Sequence, residues 1–272
     1  MERSFLFVIM FAERLFQIDI NHKEMKRLEN KVAVITGASK GIGAAIAKKL
    51  SADGASIVVN YSSDKEGADK VVASITNAGG KAIAVQANIS VETDIKRLFA
   101  ESTNTYGAVD ILVNNAGVYN FVPLADITAD EFHRQFNINV LGLLLVTQEA
   151  VKNFKDGGSI INIGSVVTKL NAPGSAIYTA TKSSVESITN VLSKELGGRK
   201  IRVNTLAPGL VETEGTHTAG FIGSDFQAEI ERTATLGRIG QPDDISAVAA
   251  FLASDDSGWL TGEVLYATGG AI

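Results

Sequence analysis

The sequence has no cysteine, and it has only four prolines, three histidines and one tryptophan in 272 residues. The absence of cysteine excludes disulfides, thiolate nucleophiles and zinc–sulfur sites. The histidines, His22, His133 and His217, lack the spacing of metal ligands, and we interpret them as surface residues. Basic residues are outnumbered, since 25 Lys and Arg face 30 Asp and Glu, a formal net charge of −5. This balance argues against a nucleic-acid groove and against a polybasic membrane surface.

The chain also lacks an apolar run long enough to span a membrane. Residues 5–12 (FLFVIMFA) are apolar, but such a short run cannot cross a hydrocarbon core of about 30 Å. Glu13-Arg14 follows, where a secretory signal would have small residues for cleavage. A second methionine, Met25, precedes the first predicted strand. We therefore predict an extension over residues 1–24 outside one folded domain over 25–272, and a cytoplasmic protein without a membrane partner.

From residue 31 onward, short β-branched runs alternate with longer segments whose apolar residues recur at helical spacing. The predicted strands are 32–36, 56–60, 81–86, 110–114, 158–163, 200–205 and 263–267. The predicted helices are 42–53, 64–78, 91–106, 128–152, 177–197 and 242–253. This alternation predicts an α/β fold: a Rossmann-like, doubly wound parallel sheet of about seven strands with helices on both faces.

The first predicted strand runs into a glycine-rich turn, Thr36 to Gly43, at which a helix begins. Glycines there permit positive φ angles and let the backbone approach a pyrophosphate closely, and the helix N-terminus adds unpaired N–H groups. The spacing is G-x-x-x-G-x-G rather than the more familiar G-x-G-x-x-G. The turn is therefore typical of a dinucleotide phosphate site, although a glycine-rich turn alone is also compatible with simple chain reversal.

Tyr178 and Lys182 are four residues apart on a predicted helix, so their side chains emerge on one face. A free tyrosine has a pKa near ~10, and a neighbouring ammonium would lower it toward the range of a useful proton donor. Ser165 follows the end of a predicted strand. The carboxyl ends of the strands, where α/β proteins bind ligands, also receive Asn114–Gly117 and Pro208-Gly209. With the glycine turn, four segments are predicted to meet at one edge.

These residues together resemble the short-chain dehydrogenase/reductase family, over roughly residues 27–272. The family's motifs TGxxxGxG, NNAG, catalytic serine, YxxxK and PGxVxT are matched in turn by Thr36–Gly43, Asn114–Gly117, Ser165, Tyr178–Lys182 and Pro208–Thr213. The family also uses an asparagine in the context N-[VL]-x-G, which Asn139 fits and Asn137 does not. The resemblance implies the catalytic set Asn139, Ser165, Tyr178 and Lys182.

The resemblance also implies a mechanism, hydride transfer between a nicotinamide and a carbonyl carbon. Ser165 would hold the carbonyl oxygen, and Tyr178 would exchange the proton. Lys182 would lower the pKa of the tyrosine and bind the nicotinamide ribose, and Asn139 would anchor a water that links Lys182 to solvent. The expected activity is the interconversion of a ketone or aldehyde and an alcohol.

The end of the second strand favours NADP(H) over NAD(H), with NAD(H) use still possible. NAD-selective proteins usually place an Asp or Glu there, but this strand continues Asn60-Tyr61-Ser62 and has no carboxylate before Asp64. An amide and hydroxyls can hydrogen-bond a 2′-phosphate, and Lys40 would add a positive charge. Asn88-Ile89 stands where the family usually has an aspartate for adenine. The expected cofactor contacts are Gly37, Ser39, Lys40, Gly41, Ile42, Gly43, Asn60, Tyr61, Ser62, Asn88, Ile89, Asn115, Ala116, Gly117, Tyr178, Lys182, Pro208, Gly209, Val211 and Thr213.

The segment after the sixth strand, roughly residues 210–237, is predicted to set the substrate. Four glycines surround Phe221, Ile222 and Phe226 there, a pattern typical of a lid, with an ordinary surface loop as the alternative. Arg232 is its only basic residue, which favours a neutral small-molecule ketone or alcohol over a small acid.

Three functions stay open at this point. The first is a carbonyl reductase or alcohol dehydrogenase of unassigned substrate. The second is a 3-oxoacyl-[acyl-carrier-protein] reductase, which needs a basic patch for an acidic carrier. Lys155-Asp156-Gly157 lacks the arginine often found there in that branch, although Arg199 and Lys200 are nearby. The third is a non-catalytic dinucleotide-binding regulator.

The helix predicted over 128–152 carries more apolar surface, between Val140 and Val146, than a half-exposed helix needs. The family resemblance points the same way, through paired helices and a strand edge around Gly258–Ile272. We therefore expect a homo-oligomer, a tetramer with two-fold symmetry.

Overall fold

Seven parallel strands form the central sheet of residues 26–272, which are the residues that the computed structural model describes. The strands are β1 Val32–Ile35, β2 Ser56–Tyr61, β3 Lys81–Gln86, β4 Val109–Asn114, β5 Phe154–Ile163, β6 Arg202–Pro208 and β7 Val264–Ala267. Their order is β3-β2-β1-β4-β5-β6-β7, with every neighbouring pair parallel. The winding direction reverses between β1 and β4, and this reversal creates a crevice at their carboxyl ends.

Helices cover both faces of this sheet. They are α1 Gly41–Ala52, α2 Lys65–Asn77, α3 Glu92–Tyr106, α4 Ala129–Phe136, α5 Leu143–Asn153, α6 Val167–Leu170, α7 Ala176–Leu196, α8 Glu214–Thr218, α9 Asp225–Thr233 and α10 Pro242–Ala253. Alternate strand residues serve opposite faces: Ala33 and Ile35 join the core beneath α1, α2 and α10, whereas Val34 joins the core beneath α3 and α5. Burial on both sides explains the nearly continuous apolar runs of the strands.

The predicted fold class is confirmed: the described residues form one Rossmann-like domain built on a seven-stranded parallel sheet. The helix predicted over 128–152 is present as one continuous helical run over 129–153, but its middle part is not α-helical. A π-helical segment, Asn137–Gly142, separates α4 from α5. The wider turn of such a segment turns the Asn139 side chain toward the loop after β4, and π-bulges of this kind are frequent at functional sites. The predicted lid segment also contains two short helices, α8 and α9.

Two further predictions concern the N-terminal extension and membrane-spanning helices. The predicted extension over residues 1–24 lies outside the described residues, and it stays a prediction. Within residues 26–272, no helix combines the length and the apolar character needed to cross a membrane.

Candidate active site

A cleft of about 250 Å³ opens at the carboxyl edge of the sheet. Its lining includes Ile42 from the glycine turn, Asn115 from the segment after β4, Ser165 from the segment after β5 and Pro208 at the end of β6. The four segments predicted to converge therefore do so around one cavity. They meet because parallel strands deliver all of their following loops to the same edge. Tyr178 lines this cavity from α7.

The three residues of the predicted Ser–Tyr–Lys set surround the floor of this cleft. Ser165 follows the end of β5 by two residues, and its Oγ accepts the backbone N–H of Val167 at 3.2 Å. Tyr178 lies in the first turn of α7, and its hydroxyl is near enough to the Ser165 hydroxyl for the serine to affect its pKa. Lys182 lies one turn later, and its Nζ is 5.8 Å from the centroid of the Tyr178 ring. The ammonium donates a 2.7 Å hydrogen bond to the carbonyl of Ile163.

Burial dominates the acid–base properties of this group. It raises the pKa of Tyr178 to about 12, against the smaller lowering effect of the Ser165 hydroxyl. It lowers the pKa of Lys182 to about 8, because a cation is costly away from water. The prediction that Lys182 lowers the pKa of the tyrosine stays a prediction, because desolvation sets the net direction of the shift and the effect of the ammonium is not separated from it. The ammonium itself is engaged by the Ile163 carbonyl.

Asn139 is buried in the π-helical segment and braces the loop after β4. Its Nδ2 donates to the carbonyl of Val118 at 2.7 Å and to the hydroxyl of Thr181 at 3.1 Å, and its Oδ1 accepts the N–H of Val118 at 2.8 Å. The side chain therefore ties this loop to α7 next to Lys182. Its predicted role as the anchor of a water beside Lys182 stays a prediction.

The glycine turn is shaped for close approach of a ligand. Gly37 has a φ of +61°, and a Cβ there would lie 2.9 Å from the Cα of Ala116. Asn115 holds the turn from the other side, because its Nδ2 donates to the carbonyls of Thr36 and Gly37, both at 2.9 Å. A side chain at Gly43 would collide with that same amide. The turn therefore cannot accept larger residues without moving.

The N-terminus of α1 already binds an anionic group. The N–H of Gly41 donates to Oε2 of Glu214 at 3.1 Å, while within the described residues the amides of Ile42 and Gly43 have no protein acceptor. The Gly41 amide that binds the carboxylate and the two amides beside it would together fit a pyrophosphate at this helix end, once the carboxylate leaves. Sequence reasoning missed Glu214, although its position directly after Thr213 brings it near the turn.

The side chains at the end of β2 are arranged differently from our expectation. Asn60 is buried, its Nδ2 donates to the carbonyls of Val85 and Ala87, and its Oδ1 accepts the N–H of Gly37 at 3.2 Å. The prediction that this amide binds a 2′-phosphate is therefore wrong, because all of its polar atoms serve the backbone. Tyr61 is also buried in the core, which removes it from the same role.

Polar groups do lie at the surface nearby. Ser62 is exposed, and the Asp64 carboxylate caps α2 by accepting the N–H of Gly67 at 3.0 Å. That hydrogen bond, together with Ser39 and the charge of Lys40, lowers the pKa of Asp64. The carboxylate that the sequence places four residues after Asn60 is thus close to the glycine turn.

Of the remaining predicted cofactor contacts, Val211 and Thr213 line the cleft, whereas Asn88 and Ile89 do not belong to its lining. Asn88 closes a short turn by accepting the N–H of Ser90, and the neighbouring Ile89 is buried. Val211 forms an isolated bridge with Gly240. Thr213 caps α8 by accepting the N–H of Thr216 at 3.1 Å. This cap fixes the start of the predicted lid next to the glycine turn.

Aromatic side chains that sequence reasoning did not single out form much of the cleft. Tyr119 and Phe121 lie on the loop after β4, opposite Phe221 and Phe226 of the lid segment. Only Phe221 and Phe226 were noticed in the sequence, as apolar residues among glycines. The run Tyr119-Asn120-Phe121 so soon after the NNAG motif was the available signal.

Known proteins resemble this chain over most of its length. The family model described as enoyl-(acyl carrier protein) reductase matches residues 37–271. An uncharacterized oxidoreductase of Methylorubrum extorquens is 56% identical over 246 residues, covering 90% of this chain and 99% of that protein. The tetrahydroxynaphthalene reductase of Pyricularia oryzae is 38% identical over 255 residues, covering 90% of both. A short-chain dehydrogenase of Burkholderia cenocepacia, in complex with NADP, is 35% identical with a TM-score of 0.84, covering 90% of this chain and 99% of that one.

Proposed function

The chain belongs to the short-chain dehydrogenase/reductase family of oxidoreductases, and from this premise we propose that it is an NADPH-dependent reductase of uncharged ketones. The observation that carries the proposal is the cluster of Ser165, Tyr178 and Lys182 around one apolar cleft. Within the described residues Lys182 is the only charged side chain of the lining. A carboxylate substrate would find no buried basic partner there besides that lysine.

The proton chemistry follows from the positions of the hydroxyl groups. A nicotinamide in the groove would supply a hydride to the carbonyl carbon. Tyr178 would donate its phenolic proton to the carbonyl oxygen, so one hydride and one proton give the alcohol. Because the Ser165 oxygen already accepts the N–H of Val167, its hydroxyl proton is free to bond the same carbonyl oxygen. The Lys182 ammonium would stabilise the phenolate that remains.

The protonation state of Tyr178 favours the direction of reduction. With a pKa of about 12, the phenol carries its proton throughout the neutral range and can act as an acid. Oxidation of an alcohol would require the phenolate, which burial disfavours. The protonated phenol is the form that donates a proton to the carbonyl oxygen, and this supports ketone reduction as the proposed reaction.

Preference for NADPH over NADH rests on the surface around the glycine turn. The turn carries Lys40, and β2 is followed by the exposed hydroxyls of Ser62 and Ser63 rather than by a carboxylate. Solved relatives in complex with NADP or NADPH support the same choice. Asp64 lies close enough to Lys40 to offset part of its charge. This makes the preference moderate and leaves NADH as a second cofactor.

A carrier-linked β-ketoacyl substrate is the alternative, and one observation disfavours it. Its docking needs exposed basic groups, but the Arg199 guanidinium is engaged by the protein itself. It donates to Asp156 at 3.0 Å and to the carbonyls of Val151 and Phe154, both at 2.8 Å. Of the basic residues at that position, only Lys155 and Lys200 have side chains without such a contact among the described residues.

We further propose that the protein assembles as a homotetramer, with the surface formed by α4, the π-helical segment and α5 as one interface and the strand edge around Gly258–Ile272 as the other. Leu141 and Leu144 are exposed on the first of these surfaces. Large exposed aliphatic side chains on neighbouring turns are typical of a subunit interface.

The proposed activity is tested by following NADPH oxidation with a panel of ketones, including an acetoacetyl-carrier conjugate. Wild-type protein should reduce simple ketones, and Tyr178→Phe should reduce kcat by about 10²–10⁴-fold while the Kd for NADPH stays within about twofold. A variant that retains more than about a tenth of the wild-type kcat would exclude Tyr178 as the proton donor. Turnover of the carrier conjugate alone would favour the alternative substrate.

A further inference from the structure

Four aromatic rings enclose the approach to Tyr178. The centroids of Tyr119 and Phe121 are 5.9 and 6.1 Å from that of Tyr178. Phe221 closes the group from the lid segment, 6.2 Å from Tyr119 and 5.6 Å from Phe121. Phe226 extends the group outward, 5.7 Å from Phe221. We name Tyr119 and Phe121 the fixed wall, and Phe221 and Phe226 the lid wall.

The fixed wall is held at several points of its backbone. Asn139 bonds the residue before it, as described above. Gln135 donates to the carbonyl of Asn120 at 3.2 Å, and the N–H of Val122 donates to the carbonyl of Gly174 at 2.7 Å. The two rings of this wall therefore keep their position relative to the catalytic tyrosine, and a substrate must adapt to them.

The lid wall differs from the fixed wall in that glycines lie on both sides of Phe221. Gly220 and Gly223 flank Phe221 with φ angles of +72° and +81°, and neither has an atom within 4 Å of the place where a Cβ would be. The segment is held by hydrogen bonds within the lid: the N–H of Phe221 donates to the carbonyl of Thr216 at 3.0 Å, and the N–H of Gly223 donates to Oε1 of Gln227 at 2.8 Å. To admit a ring between the walls, Phe221 must move with its own short segment, and the two glycines give that segment the backbone freedom to do so.

Solvent exposure separates these rings from ordinary core residues. Phe121 is 39% and Phe226 42% exposed, so each ring keeps a face without a protein partner. The relative orientations are an offset stack of 29° between Tyr119 and Phe221 and an edge contact of 81° between Phe121 and Phe221. Both are favourable aromatic geometries. A flat aromatic ring that enters the cleft would replace these ring–ring contacts with equivalent contacts between the wall residues and the bound molecule.

We propose that the substrate is a planar aryl-fused ketone, and that Tyr119 and Phe221 determine this specificity by stacking on its aromatic ring. The proposal rests on the ketone reductase activity proposed above. The carbonyl on one edge of a bicyclic system would reach Ser165 and Tyr178 while the aromatic ring lies between the two walls. A saturated ring of equal carbon number is puckered and has no π face, so it gains less from the walls.

The test compares two ketones with the same carbon skeleton: β-tetralone, which has a flat fused benzene ring, and β-decalone, in which both rings are saturated and puckered. Wild-type protein should show a kcat/KM at least about tenfold higher for β-tetralone. Tyr119→Leu and Phe221→Leu should each lower this ratio by about three- to tenfold, whereas the ring-retaining Tyr119→Phe should keep it. Loss of folding alone would lower both kcat/KM values and leave their ratio intact.

A matched control is Phe132→Leu on α4. Phe132 is 41% exposed, like the rings of the walls, but lies outside the cleft lining, so the ratio should not change. A binding measurement complements the kinetics: calorimetric titration should give a lower Kd for β-naphthol than for its decahydro analogue.

The proposal is overturned if wild-type protein reduces β-decalone as well as β-tetralone, or if both leucine variants keep the wild-type ratio. Either result leaves ketone reduction itself in place. Turnover of neither ketone, nor of any other in the panel, would instead overturn the proposed function.

Discussion

Replacement of Glu214 by glutamine should tighten the binding of NADPH. Oε2 of Glu214 accepts the N–H of Gly41, the first amide of α1, at 3.1 Å. A pyrophosphate at this helix end would compete for the same donor and would also meet a like charge. Glu214→Gln removes the charge and keeps the size of the side chain, so the competition weakens.

The expected magnitude follows from the exposure of this contact. An anion at an exposed helix N-terminus contributes about 0.3–1 kcal/mol, and this free energy must be given up when the carboxylate leaves. The Kd for NADPH should therefore fall by roughly two- to fivefold in the variant. Because an exposed interaction is screened by salt, the difference should shrink as ionic strength rises.

Isothermal titration of NADPH into wild-type protein and variant, at low and high salt, measures this effect. Glu212→Gln is the matched control, since it removes the same charge two residues away, where the carboxylate contacts His217 and Gln241 instead of the glycine turn. An equal change in both variants would show a general charge effect. Weaker binding in Glu214→Gln would mean that the carboxylate supports the turn, and would refute the competition.

Three further predictions follow from the site and the surface. The pKa of Lys182 is lowered to about 8, so the side chain is cationic below that pH and neutral above it. The affinity for NADPH should therefore fall as pH rises through about 8. In titrations across this pH range, Lys182→Met should abolish the dependence. Asn60→Ala leaves the N–H of Gly37 and two buried carbonyls without their partner, so the free energy of unfolding in urea should drop by about 1–3 kcal/mol, and a loss below ~0.5 kcal/mol would contradict the bracing role. Sedimentation should give about four times the 28.7 kDa monomer mass, and Leu141→Glu combined with Leu144→Glu should lower it; a wild-type monomer at micromolar concentration would contradict the proposed tetramer.

The order and direction of the strands could be predicted because their signal is local. Each buried parallel strand is a short apolar run, and each connection is long enough for a helix. Parallel strands carry their loops to one edge whatever the details of packing. Ser165 and Tyr178 could therefore be assigned to the same edge before any distance was known.

The π-helical part of the helix predicted over 128–152 could not be predicted, because its cause is not local. The residues on both sides of Asn139 have helical periodicity. The π-helical turn is stabilised where the Asn139 amide meets the backbone of Val118, twenty-one residues earlier in the chain. The hydrophobic periodicity of a short stretch of sequence carries no information about that contact.

The same reason explains the error at Asn60. At the end of a strand its side chain was equally compatible with the surface and with the sheet interior. In the folded protein the side chain lies in the interior. Its Nδ2 donates to the carbonyls of Val85 and Ala87, and its Oδ1 accepts the N–H of Gly37. Buried backbone groups need such partners, and the identity of the partner depends on which strands are neighbours.

The doubly wound fold, and the meeting of the glycine turn, Ser165 and Tyr178 at one edge, can be predicted from the amino-acid sequence alone, because hydrophobic periodicity and strand direction are properties of short segments. Tertiary structure decided the pKa values of Tyr178 and Lys182, since these depend on how completely other elements exclude water. It also decided which side chains share the cleft. The aromatic walls come from loops about a hundred residues apart in the sequence, and only the packing of the sheet brings them within 6.2 Å of each other.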